Sequence, residues 1–324
     1  MKALAVFSGG LDSILAAELI RAQGIDVLAI FFETPFFSAE KAEQSAGNLG
    51  LRFKKKDITS RHLEIVKDPK HGYGGNMNPC IDCHALMFRI AGEMLAQENA
   101  AFVFSGEVMG QRPMSQNRRS LELVARESGI EGLLLRPLSA GLLPQTVPEQ
   151  KGWVDRKLLL DIQGRSRKPQ MKLAASLNIT EYPSPGGGCM LTEQVFSTRL
   201  KDLLHRSVTP DKRALELLKL GRHFSLNHLT KLVVGRNKRE NEVISTLSGD
   251  EDLLLRPASV PGPTALLSGT ASDEVLELAA AITAAYSDTE GREEIDVKLT
   301  GGKTEKVLQT ENRDKQEFVS LMIN

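Results

Sequence analysis

Cysteine is scarce, with three in 324 residues. A small, odd number fits a cytoplasmic chain whose thiols react or bind metal better than a disulfide framework. Tryptophan occurs once, and aromatic residues make up 5%. Neither sign of charge is in excess, since 41 Lys and Arg face 41 Asp and Glu. Bulk charge therefore announces no nucleic acid partner, and any such surface is a local patch. No apolar run approaches the ~20 residues of a membrane span, so no membrane partner is expected. The chain enters an apolar strand and a glycine turn at once. A cleavable leader would remove that turn, so none is expected. Repeats and low-complexity tracts are also missing. The hydrophobic share, 41%, and the charged share, 25%, are those of globular protein. The length allows two domains.

What is present begins with Val6-Phe7-Ser8-Gly9-Gly10-Leu11-Asp12-Ser13. Ala3 to Phe7 has strand length, and Ile14, Leu15, Ala17, Leu19 and Ile20 recur at helical spacing up to Gly24. Strand, Gly-Gly turn and helix N-terminus in that order form an anion cradle. Glycine lets the backbone turn tightly and approach a ligand. The N–H groups and dipole of the helix start favour a phosphate. Ser8 and Ser13 add hydroxyl donors. A carboxylate at Asp12 would repel that phosphate, so a bridging Mg²⁺ is expected. The turn carries no Lys-Ser/Thr, which excludes a Walker loop there.

Val27 to Phe32 is a continuous apolar run, expected of a parallel strand buried on both faces. Leu51 to Asp57 is a further strand, with three lysines toward an exposed end. Strands alternating with helical stretches predict an α/β, doubly wound parallel sheet with ligands beyond the C-terminal strand ends. Residues 68–82 form a long Gly/Pro/Asn-rich loop of the kind that carries function. It leads through Cys80 and Cys83 into a helix over 84–97. A strand over 101–105 and a helix over 116–127 follow, then a basic segment over 161–172 that enters a helix ending near Leu177. The pattern changes near 205–210, so the expected domains are 1–205 and 206–324. The second is smaller and α+β, with a helix over 275–286 and a hairpin around Gly301-Gly302. There, Arg222, His223, Lys231, Arg236, Lys238 and Arg239 make a candidate RNA-binding phosphate patch. Residues 164–172 are the next candidate for an RNA surface.

Cys80 and Cys83 form a CxxC before a helix, and Cys189 sits in a glycine-rich loop over 182–190. A helix N-terminus lowers a nearby thiol pKa, which favours thiolate chemistry. Four readings stay open. Three thiolates hold a 4Fe–4S cluster with one iron open to sulfide. Alternatively, two form a redox pair, Cys189 carrying a persulfide or meeting Cys83 in a catalytic disulfide. A structural zinc would recruit His84 or His71. Last, the three are unrelated buried thiols.

Ser8 to Ser13, SGGLDS, resembles the PP-loop of ATP pyrophosphatases, which cleave ATP between the α and β phosphates and adenylate a substrate. Phe31-Phe32, FRIAGEMLA at 88–96, SGEVMGQRPMSQ at 105–116 and LRPL at 135–138 follow in order. That series is similar to the PP-loop domain of the ThiI family of tRNA thiolation enzymes. NPCIDC at 78–83 resembles a segment of the related MnmA family, and a CxxC plus one distant cysteine resembles the ligand pattern of TtuA-type thiolases. The resemblance covers about residues 1–205. It implies ATP contacts from the Val6 and Phe7 backbone, Ser8, Gly9, Gly10, Leu11, Asp12, Ser13, Phe31, Phe32, Arg89, Gly106 and Gln116. It also implies sulfur chemistry at Cys189, with Cys83 and Cys80. Gln111 reads as either a ligand or a turn residue. Nothing here matches the N-terminal RNA-binding region or the rhodanese domain of ThiI, so RNA delivery and sulfur supply are expected to differ. GRHFSL at 221–226, KLVVGRNKREN at 231–241, PGPTALLSG at 261–269 and AAAITAAYS at 279–287 resemble the NFACT-R domain, which is associated with RNA-handling proteins.

The expected function is ATP-dependent thiolation of a tRNA uridine, 4-thiouridine ahead of 2-thiouridine. The expected cofactors are ATP, Mg²⁺ and a 4Fe–4S cluster. The expected partners are tRNA and a sulfur donor, as persulfide from a cysteine desulfurase or as sulfide. A homodimer is compatible with this. The alternatives are a PP-loop amidotransferase or synthetase acting on a small molecule, and a non-catalytic ATP-dependent RNA-binding module.

Overall fold

The computed structural model describes residues 1–184, 189–207, 210–289, 291–302 and 304–324. The chain divides into two compact units, Met1–Thr192 and Glu193–Asn324.

In the first unit, strands β1 (Lys2–Val6), β2 (Asp26–Glu33), β3 (Arg52–Asp57), β4 (Phe102–Ser105) and β5 (Leu134–Leu135) form one sheet in the order β3-β2-β1-β4-β5. All its pairs are parallel. Helices α1 (Leu11–Arg21), α2 (Glu40–Asn48), α3 (Thr59–Lys67), α4 (Cys80–Met94), α5 (Arg118–Ser128), α6 (Val147–Gln150) and α7 (Lys168–Ser176) cover it. Alternation along each strand sorts the side chains. Ala3 and Ala5 of β1, Val27, Ala29 and Phe31 of β2, and Phe102 and Phe104 of β4 join one core with α1. Leu4, Leu28, Ile30, Phe32 and Val103 join the opposite core with Leu86 and Phe88 of α4. Burial on both faces is why these strands read as unbroken apolar runs. Strand order reverses between β1 and β4, so a crevice opens beyond their C-terminal ends, where such sheets bind ligands.

The second unit is α+β, as expected. Its elements are α8 (Gln194–Arg206), α9 (Lys212–Leu217), β6 (Arg222–Ser225), β7 (Lys231–Val234), α10 (Lys238–Thr246), β8 (Leu253–Pro257), β9 (Ala265–Ser268), α11 (Asp273–Ala285), β10 (Glu294–Gly301) and β11 (Thr304–Glu311). The strands form an antiparallel sheet in the order β11-β10-β8-β9-β7-β6. The alanine-rich face of α11 packs on Phe224, Leu255 and Val297. The division falls after Thr192 rather than near 205, because the polar partners of α8 lie in the second unit. Arg199 donates to the carbonyls of Leu218 and Gly221, and Arg206 donates to that of Asn227. Among the described residues no helix is long and apolar enough to cross a membrane.

Candidate active site

The phosphate cradle forms at the end of β1. Gly10 is the N-cap of α1 in extended geometry, without a side-chain cap, so the first-turn N–H groups have no intrahelical acceptor. Ser13 Oγ donates to the Gly10 carbonyl at 2.8 Å, and the Gly10 N–H approaches Ser8 Oγ at 3.4 Å. Two glycines are sterically required. Gly9 has φ +73°, and a Cβ there would lie 2.5 Å from Ala42 Cα. At Gly106, after β4, a Cβ would lie 2.5 Å from the Asp12 carbonyl carbon and the Ser13 nitrogen. Only glycine lets β4 close on the start of α1.

Asp12 is held from the far side of the crevice. Gln111 Nε2 donates to Asp12 Oδ2 at 2.8 Å, and Gln170 Nε2 approaches Gln111 Oε1 at 3.4 Å. Two buried atoms of this chain, Asp12 Oδ1 and Gln170 Oε1, lack a hydrogen-bond partner among the described residues, as do Gln116 Oε1 and Arg167 Nε. An unmet buried polar group costs about 1–3 kcal/mol, so the open Asp12 oxygen at the cradle marks a place for a polar ligand. A carboxylate oxygen left open beside a phosphate cradle fits a hard cation such as Mg²⁺. The arginine nitrogen fits a phosphate oxygen.

The cysteines gather beside this space. Cys80 and Cys83 stand in the first turn of α4. The segment after Cys189 is pinned by the Met190 N–H to the Phe36 carbonyl and by Asn76 Nδ2 to the Thr192 carbonyl. No disulfide joins the three. Burial pushes the Cys83 thiol well above its ordinary pKa, and the charges of Cys189, Cys80 and Asp82 add to the rise. Burial also raises Cys80, against hydrogen bonds with Asn78 and Ser115 and the charge of Arg112. The expected lowering by the helix N-terminus is therefore corrected, because desolvation of the thiolate outweighs the dipole. Among the described residues, no three His, Cys, Asp or Glu side chains are arranged to hold a metal ion. Cys83 Sγ lies instead 3.2 Å from His62 Nε2. His84 and His71, the zinc candidates, face Glu107 at 2.7 Å and Glu127 at 3.6 Å.

Comparison with known proteins agrees with the PP-loop crevice. Residues 1–141 match the family described as thiamine biosynthesis protein (ThiI). Residues 221–322 match the NFACT protein RNA binding domain. The chain thus has one segment similar to the ThiI family and another similar to the NFACT RNA binding domain. A probable tRNA sulfurtransferase of Anoxybacillus flavithermus is 30% identical over 132 residues, covering 38% of this chain and 32% of its own length. One from Oceanobacillus iheyensis is 29% identical over 146 residues, covering 42% and 34%. The chain thus spans about a third of the length of these relatives. A solved structure described as a predicted subunit of tRNA methyltransferase, from Methanocaldococcus jannaschii, aligns with TM-score 0.33 at 21% identity, over 42% of this chain and 67% of that one.

In the first unit the Phe31 and Phe32 side chains point into the two cores on opposite faces of the sheet, and those of Phe7 and Leu11 are buried, which leaves the expected backbone contact of Phe7 open. Arg89 lies nine residues beyond Cys80 on α4, about 13 Å along a helix. Its Nη2 donates to the Glu127 carbonyl near the end of α5.

Two features escaped sequence reasoning. His62 is fully buried against Phe36 and Phe37, and burial lowers its pKa to about 4, so the ring beside Cys83 is neutral. Glu107 is buried between His84 and Arg136 Nε, the latter at 2.8 Å. Burial opposes its ionisation, but the Arg136 charge and the His84 hydrogen bond outweigh that and hold the carboxyl at about 2. The pair anchors α4 and its cysteines to the end of β4.

In the second unit two residues of the expected patch face carboxylates and a third lies over a ring. Lys231 pairs with Asp202 at 3.2 Å, Arg236 with Glu240 at 2.5 Å, and Arg222 lies 4.7 Å over the Tyr286 ring. Lys238 and Arg239 remain exposed. His223 is fully buried, with Nε2 facing the carbonyls of Leu217 and Leu220. Burial, then the charges of Lys231 and Arg199, holds its pKa well below the ordinary value. A histidine neutral when folded protonates first in the unfolded chain. Its stabilisation is therefore complete above about pH 6.5 and is lost as pH falls below it, by at most about 1.4 kcal/mol per pH unit for one proton. Urea unfolding at stepped pH should show this slope, and His223→Gln should reduce it by up to one proton.

Proposed function

We propose that this protein thiolates a tRNA uridine using ATP. One observation carries the reading: the Asp12 carboxylate, held at the phosphate cradle by Gln111 at 2.8 Å, keeps one buried oxygen without a partner among the described residues. The ThiI-family match and the relatives named tRNA sulfurtransferase support the substrate class.

ATP lies with its phosphates on the backbone of Ser8 to Ser13, and Asp12 is the residue that would hold Mg²⁺, which when bound would supply charge neutralisation on the phosphates. The uracil carbonyl oxygen attacks the α-phosphorus, and pyrophosphate leaves. Sulfur at the cysteine site then attacks the adenylated carbon, the C–O bond breaks, and AMP departs. Positioning and charge stabilisation supply the rate, and the base must leave its stack to enter. Cys80, Cys83 and Cys189 are the thiols that would hold an iron–sulfur cluster, which when bound supplies an open iron for sulfide. 4-Thiouridine is favoured because the ATP-site motifs resemble ThiI.

Nucleoside analysis of tRNA from cells with and without the gene tests the reading. Loss of one thiouridine is the expected result. An unchanged set of thionucleosides, with AMP formation indifferent to tRNA, would favour a small-molecule synthetase.

A further inference from the structure

The NFACT-type match covers residues 221–322, yet that segment holds 12 Lys and Arg against 17 Asp and Glu. Two of its five expected phosphate contacts are paired internally, and a third lies on an aromatic ring. Phosphate neutralisation dominates non-specific RNA affinity, and a net acidic surface does not supply it.

The opposite imbalance stands beside the ATP crevice. Residues 109–119 and 161–172 together hold seven Lys and Arg and one Asp, on a chain of zero net charge. The two segments are joined. Met109 bridges Gln163, the Gly164 N–H donates to the Met109 carbonyl at 2.8 Å, and Gln170 meets Gln111. Arg112, Arg165, Lys168 and Lys172 are exposed, and among the described residues none has an acidic partner within ion-pair distance. Lys168 and Lys172 share one face of α7, four residues apart. The charge of Arg112 is felt at Cys80, so an anion bound there lies next to the thiols.

We infer that Arg112, Arg165, Lys168 and Lys172 form a rim on which the RNA backbone docks, and that this rim outweighs the NFACT-type domain in electrostatic affinity. The inference rests on the thiolation reading. It explains how the two roles are shared: the rim brings phosphates, and with them a base, to the mouth of the crevice, while the second unit contributes contacts that depend little on charge.

The test uses the full chain and an unmodified tRNA transcript, with affinity measured by fluorescence anisotropy across a potassium chloride series. Changing all four rim residues to Gln should weaken binding at least tenfold near 0.1 M salt. It should also flatten the slope of log affinity against log salt by about 3, at roughly 0.7–0.9 per phosphate contact. Lys238→Gln with Arg239→Gln should change affinity less than threefold. ATP affinity should stay unchanged in both variants, which also reports that the crevice is folded. An unaltered slope in the rim variant, or a larger loss from the Lys238 and Arg239 pair, would overturn the rim. So would a rim variant that binds tRNA normally but fails only when a sulfur-donor protein is supplied, since the patch would then serve a protein. No tRNA binding by the unaltered chain would overturn the functional reading, and the rim with it.

Discussion

Asp12→Asn should reduce AMP and pyrophosphate formation about a thousandfold while the protein stays folded. A bound cation supplies several kcal/mol of charge stabilisation to a transferring phosphoryl group, and 1.36 kcal/mol is a factor of ten. The substitution removes the charge that holds such a cation but keeps an oxygen for the Gln111 hydrogen bond, now 2.8 Å long. Oδ1 is buried without a partner, so the native carboxylate does little for the fold. Circular dichroism and urea unfolding should resemble those of the parent. Gln111→Leu is the graded control. It releases Asp12 without removing its charge, so activity should fall about tenfold, with part of the loss recovered at high Mg²⁺. Normal turnover in a folded Asp12→Asn protein would remove the PP-loop assignment.

The parallel sheet was legible because each buried strand writes its burial into a local run, as Val27 to Phe32 does. The phosphate cradle was legible for the same reason, since strand, turn and helix start are contiguous. Features made by distant pairs were not. Gln111 and Gln170 are 59 positions apart, His62 and Cys83 are 21 apart, and Arg136 reaches Glu107 across 29. Nothing in residues 59–67 separates His62 from a solvent-facing histidine, and α3 itself carries no apolar stripe strong enough to announce it. The same blindness applies to the basic patch. Arg236 and Glu240 are visibly one helical turn apart, but Asp202, the partner of Lys231, lies on a helix that sequence alone assigned to the first domain. A charge read without its partner counts as free, whereas Lys231 and Arg236 each face a carboxylate.

The three cysteines should stand or fall together. Purified without oxygen, the protein should be brown, with iron and sulfide in the ratio of one 4Fe–4S cluster. Cys80→Ala, Cys83→Ala and Cys189→Ala should each lose iron and thiolation, with ATP affinity held within about twofold. As they stand the three side chains are not arranged to hold a metal ion, so assembly has to rearrange them, and burial pushes the Cys80 and Cys83 thiols up, toward the protonated form. A metal-bound thiolate escapes that desolvation cost, because the ligand binds deprotonated and its charge is matched. Cluster assembly should therefore release protons and shield the thiols from alkylation, two readouts independent of activity. The present contacts of Cys83 with His62 and of Cys80 with Ser115 would then have to yield or become donors to the bound sulfurs. The persulfide route makes a different pattern. There Cys189 and one partner are essential, the remaining cysteine is dispensable, and the active protein is colourless. A colourless, fully active anaerobic preparation would reject the cluster. Zinc in the preparation, with the cysteines needed only for stability, would reject both routes.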